Sequence, residues 1–211
     1  MCFSATASIV AGTALSAVGV VTTAKAKQKA EVPYALVPLL FGVQQLTEGF
    51  VWLSFSWHAT VLNAITTYVF SLFAFVLWPL YVPFAVGLLE TVPWRKKAIH
   101  VCQILGLTVG LYLLYSHASS PVTSEIVSRH VVYNNSHFYE FVVMIFYFIA
   151  TIVSCLFSSK KIINMFGVLA FLSAMTTYWF YSQAFVSVWC FFAAVLSFIV
   201  CIYFFKPRNA N

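Results

Sequence analysis

The chain has 211 residues; 62% are hydrophobic, 18% aromatic and only 8% charged, with 11 Lys and Arg against 5 acidic residues and a net charge of +6. Soluble domains carry roughly 25% charged residues, so this composition excludes an ordinary soluble enzyme, a disordered chain and a nucleic-acid binder. The basic residues stand in short clusters between apolar runs, a pattern of membrane topology and not of a phosphate-binding face.

Seven apolar runs of transmembrane length follow one another, over residues 5–23, 33–55, 61–88, 98–115, 139–158, 162–181 and 184–205. They lack the two-residue alternation of membrane-barrel strands, and in lipid a helix satisfies its own backbone. The expected fold is an all-α, seven-helix transmembrane bundle forming a single domain over residues 1–211. Lys25, Lys27, Lys29, Arg95, Lys96, Lys97, Lys160, Lys161, Lys206 and Arg208 fall on one side of such a bundle, and Arg129 alone on the other. The positive-inside rule then places the N-terminus outside and the C-terminus in the cytoplasm. The lipid bilayer is the expected partner. The first run has its charges after it and none before it, which argues against a cleaved signal peptide.

In the first helix Ser4, Ser8, Gly12 and Ser16 stand four apart. Such a small-residue stripe lets backbones approach closely, either against another helix of the chain or in a homo-oligomer formed through the first helix. The second helix carries Glu48 about eight residues from its outer end, on the order of 12 Å deep. Gln44 and Gln45 lie one turn before it and Trp52 one turn after. An ionisable side chain at that depth faces protein or water and marks either a hydrogen-bonded helix tie or a functional site.

The third helix contains Trp78-Pro79 and Pro83, which bend it and free carbonyl groups. Glu90, next to Arg95–Lys97 at the inner surface, reads as a surface ion pair. The loop at residues 116–138 is long enough to be functional; it holds His117, His130 and His137. In the seventh helix Trp189 and Cys190 reach the depth of Glu48, while Cys102, Cys155 and Cys201 read as apolar filler at inner helix ends.

The opening Met1-Cys2-Phe3-Ser4, the stretch PLLFGVQQLTEGFVW at residues 38–52, WPLYVP at 78–83 and SVWCFFAA at 187–194 resemble an uncharacterised family of bacterial multi-pass membrane proteins. Its members begin MCFS and end in an SxWCxxAA-type last helix. The likeness spans nearly the whole chain and takes in His130, Tyr133 and Phe166-Gly167. It implies seven helices, a bacterial envelope, for which the cell inner membrane is the expected location, and a family pattern that includes Cys2, Ser4, Glu48, His130, Trp189 and Cys190. It implies no reaction.

These residues suggest binding of a metal ion or small ligand on the outer side. The ligand residues would be Glu48, Gln44, Gln45, Ser4 and Trp189, and the metal set Cys2, Glu48, His130 and Cys190. Thiolate, imidazole and carboxylate together suit zinc or copper. Two oxidised thiols, Cys2 and Cys190, are the simpler alternative on an oxidising face. A small-solute or proton-coupled transporter would use Glu48 and the bent third helix. A membrane hydrolase would use Ser4 or Cys2 as nucleophile and His130 as base.

Overall fold

A computed structural model describes residues 4–134 and 140–205. Seven apolar helices run through it: α1 (Ala5–Ala24), α2 (Lys29–Ser56), α3 (Thr60–Leu89), α4 (Pro93–Ser119), α5 (Phe141–Leu156), α6 (Lys161–Phe180) and α7 (Ser182–Phe205). Six are long and apolar enough to cross a membrane, and α5 is the shorter one. The chain is therefore a multi-span helical membrane protein.

The closest approaches of α1 and α2 rest on missing side chains. A Cβ on Gly12 would meet the backbone N of Leu46 at 2.7 Å, and one on Gly19 the N of Leu39 at 2.3 Å; one on Gly42 would meet the N of Ser16 at 2.7 Å. The small-residue stripe thus packs within the chain. The seam departs from strict four-residue spacing and passes through Ser8, Gly12, Leu15, Gly19 and Thr22. The reason is geometric, since 3.6 residues per turn rotates a four-residue repeat off any fixed line. Thr22 closes it, its hydroxyl donating to the carbonyl of Ala35 at 2.8 Å.

Both α3 and α5 contain a wide turn, over Leu72–Leu77 and Ile149–Val153. Such turns widen a helix locally and leave carbonyls out of register. In the wide register of α3 the donor to the Ala74 carbonyl is residue 79, a proline without N–H. The Tyr147 hydroxyl of α5 donates to that carbonyl instead, at 2.5 Å. Four residues on, Pro83 in turn denies a donor to the carbonyl of Pro79. That oxygen points at Gly106 of α4, where a Cβ would lie 2.0 Å from it. Gln103 of α4 donates to the Pro83 carbonyl at 3.0 Å. The prolines therefore fix where α4 and α5 dock.

The segment between α4 and α5 differs from the open loop expected. Helix α4 runs on to Ser119, and β1 (Thr123–Val127) and β2 (His130–Asn134) pair antiparallel, with Val127 opposite His130. Ser128 and Arg129 make the two-residue turn with φ of 50° and 66°, the left-handed pair of a type I′ hairpin. The hairpin lies on α3. Tyr133, buried, stacks on Phe70 with centroids 4.3 Å apart, and Ser124 and Thr67 share a hydroxyl contact of 2.6 Å.

At the other end, the surface ion pair expected for Glu90 is replaced by a backbone clamp. Glu90 is buried; its carboxylate accepts from the N–H groups of Thr91 (3.0 Å), Val92 (2.8 Å) and Ser159 (2.5 Å). Arg95 donates instead to the carbonyls of Phe157 and Ser158, at 3.2 and 2.9 Å. Three free backbone donors at helix ends suit a carboxylate better than a solvated guanidinium does. Burial pushes the Glu90 carboxyl up, and the N–H donors outweigh it and hold it below its usual 4.5. A carboxyl depressed in the folded state stabilises above its unfolded pKa, and that stability is lost as pH falls through the lower folded value. Unfolding followed from about pH 5 to about pH 3 is expected to show the wild type losing stability relative to Glu90→Gln. Parallel curves would show that the clamp does not depend on charge.

Candidate functional site

Helices α1, α2 and α7 are mutual neighbours, and where they meet the interior is polar. Ser8 of α1, Gln44, Gln45 and Glu48 of α2, and Ser187 of α7 are all fully buried, and Cys190 nearly so. The local cause on α2 is spacing. Gln44, Gln45 and Glu48 fall one turn apart on one face, next to Gly42 and Gly49, where α1 comes close. On α7, Ser187 and Cys190 are three residues apart and share a face.

The Ser187 hydroxyl donates to Oε1 of Glu48 at 2.5 Å. Ser8 and Gln45 flank the same carboxyl, and the Cys190 thiol lies near enough to feel its charge. Gln44 accepts from the Trp78 indole N–H at 2.7 Å and turns its amide toward Cys190. The arrangement is nonetheless incomplete. Six buried polar atoms here make no hydrogen bond of normal length, namely Ser8 Oγ, Gln44 Nε2, both polar atoms of Gln45, Glu48 Oε2 and Trp52 Nε1, although Ser8 and Gln45 stand within longer reach of the Glu48 carboxyl and Gln44 of Cys190. Buried polar groups are paired in the great majority of cases.

Beside the cluster lies a cavity of about 40 Å³ whose aromatic walls are Phe41, Trp78, Tyr147, Phe166 and Trp189, with Cys190 also in its lining. Trp78 stacks on Phe41 at 3.8 Å. Trp189 donates its indole N–H to the Ala170 carbonyl at 3.1 Å, which turns it toward α6 and away from Glu48. Cys190 and Trp78 connect cavity and cluster, the first by contact with both and the second through Gln44.

The other expected site residues lie elsewhere or outside the description. Ser4 is exposed and caps α1, accepting from the N–H of Ala7 at 3.2 Å. His130 is half-buried on β2, with its ring 5.1 Å from that of Tyr181; burial lowers its pKa from the usual value. Cys2 and His137 lie outside the described residues. Among the described residues Cys190 forms no disulfide. Among the described residues no group of three or more His, Cys, Asp or Glu is disposed to hold a metal.

Ser8 and Ser187 join Glu48 although neither was a candidate from sequence. Ser8 was legible as a member of the stripe, and Ser187 as the partner of Cys190 three residues on. Tyr147 carried no such signal, because its role depends on a carbonyl released in another helix.

Over residues 1–211 the chain matches, and belongs to, a family of unknown function (DUF6629). No curated protein and no solved structure matches it.

Proposed function

We propose that this member of the DUF6629 family binds a small polar ligand inside the membrane, at the cluster of Ser8, Gln44, Gln45, Glu48, Ser187 and Cys190. The supporting observation is that buried polar atoms of Ser8, Gln44, Gln45 and Glu48 make no hydrogen bond of normal length. A purely structural tie would close on itself, because each open buried group costs about 1–3 kcal/mol. Zinc or copper on Cys2, Glu48, His130 and Cys190 is the alternative occupant. Of that set, Glu48 and Cys190 are neighbours, so the metal reading leans on Cys2.

A second reading, transport of a small solute, is favoured by one observation. The interrupted helix α3 touches the cluster through Trp78, directly after its wide turn. Transporters typically build their substrate sites beside interrupted helices. Uptake into vesicles holding the reconstituted protein separates transport from binding.

Thermal unfolding of the purified protein in detergent, with zinc, copper or small amines added, tests the binding reading. At least one addition is expected to raise the midpoint of the wild type and not of Glu48→Gln. An identical response of both proteins to every addition contradicts a site at Glu48.

The orientation proposed is N-terminus outside and C-terminus cytoplasmic, in a bacterial inner membrane. Its support is that Lys25, Lys27, Lys29, Arg95, Lys96, Lys97, Lys160 and Lys161 lie in or beside the α1–α2, α3–α4 and α5–α6 connections, while Arg129 sits in the hairpin turn of the α4–α5 connection. A reporter fused after Asn211 is expected to be active in the cytoplasm; activity confined to the periplasm contradicts the orientation and puts the Glu48 end of α2 inside.

A further inference from the structure

The geometry points to a small alkylammonium ion as the ligand, with its alkyl part in the aromatic cavity and its charge balanced by Glu48. This rests on the reading of the Glu48 cluster as a binding site and adds the chemical class of what binds there.

Among the described residues Glu48 is the one Asp, Glu, Lys or Arg inside a span; the others stand at helix ends, in connections or in the hairpin. A buried carboxyl stays neutral unless a positive charge meets its carboxylate. A single positive charge balances it, whereas a divalent ion leaves an excess of one in the membrane interior.

Five of the eleven residues that line the cavity carry aromatic faces. Those faces attract an organic cation through the negative quadrupole of the ring, Trp most strongly. Two of the five rings are indoles.

The rings are held before anything binds. The Trp78 N–H is committed to Gln44 at 2.7 Å and the Trp189 N–H to the Ala170 carbonyl at 3.1 Å. The Tyr147 hydroxyl is committed to the Ala74 carbonyl. Fixing three of the five rings in advance removes the ordering cost that a flexible aromatic pocket would meet on binding.

Size narrows the class. One water needs about 10–15 Å³ of such space, so about 40 Å³ admits a group of a few heavy atoms. Methylammonium meets this bound, and tetraethylammonium exceeds it.

The experiment is a titration of the purified protein in detergent with methylammonium chloride, followed by tryptophan fluorescence at constant ionic strength, against NaCl and tetraethylammonium chloride. A saturable change with methylammonium alone is expected. The apparent Kd should rise about tenfold or more in Glu48→Gln and about tenfold in Phe41→Leu, which keeps an apolar wall and removes one ring face. Phe41→Leu also provides a test should Glu48→Gln fail to fold. Equal saturation by NaCl, or no weakening in either variant, overturns the ammonium assignment. No saturable response to any of the three salts overturns it too. In each of these cases the binding reading stands if another addition still stabilises the wild type and not Glu48→Gln, and it falls with the assignment if none does.

Discussion

Replacing Gly106 by alanine is expected to destabilise the protein on the order of 3 kcal/mol, at the upper end of what overpacking usually costs. The added methyl would stand 2.0 Å from the carbonyl oxygen of Pro79 and 3.0 Å from its carbon. Neither atom can swing aside, because both belong to a backbone held by prolines at positions 79 and 83. The pair must separate, and with it the docking of α4 on α3. Gly110→Ala, one turn along the same helix, is the control. Its methyl would meet Leu80 Cγ at 2.9 Å, a side chain that can turn. Thermal unfolding of both variants should show the Gly106 change costing clearly more. Equal losses would mean that α3 and α4 do not approach at Pro79.

The largest effect at the candidate site is expected from Glu48→Leu. Leucine removes the acceptor of the Ser187 hydroxyl and sets an apolar branch among Ser8, Gln45 and Cys190. Each buried polar group left open costs about 1–3 kcal/mol, so a loss on the order of 3 kcal/mol is expected by the same principle. Glu48→Gln keeps an oxygen for Ser187 and should fold to within about 1 kcal/mol of the wild type, the net worth of one hydrogen bond, while losing ligand binding. Unfolding curves paired with a binding assay check both halves. If both variants fold like the wild type and neither changes binding, Glu48 has neither role.

The helices were readable because lipid imposes long apolar runs, and basic clusters mark where they end. The cluster was readable in part for the same reason: a carboxyl and two amides in such a run have no place in lipid. What could not be read depends on contacts between elements. The hairpin was hidden because Ser128-Arg129 is not a pair that favours left-handed backbone; its stability comes from Tyr133 on Phe70 and Ser124 on Thr67. Glu90 looked like a surface charge because its true partners are backbone N–H groups, one of them 69 residues away. The aromatic walls look like the lipid-facing residues around them in a sequence of 22 Phe, 11 Tyr and 6 Trp; only packing separates the two sets.

The central claim is that the open polar atoms around Glu48 receive a ligand. An experimental density map of the protein, fine enough to show ordered water and recorded with methylammonium present, tests it most directly. The account predicts non-protein density within hydrogen-bonding distance of Glu48 Oε2 and of the Gln45 amide, continuing into the cavity between Trp78 and Trp189. A map in which Glu48, Gln44, Gln45 and Ser8 turn to satisfy one another, with nothing between them and the cavity empty, would contradict it.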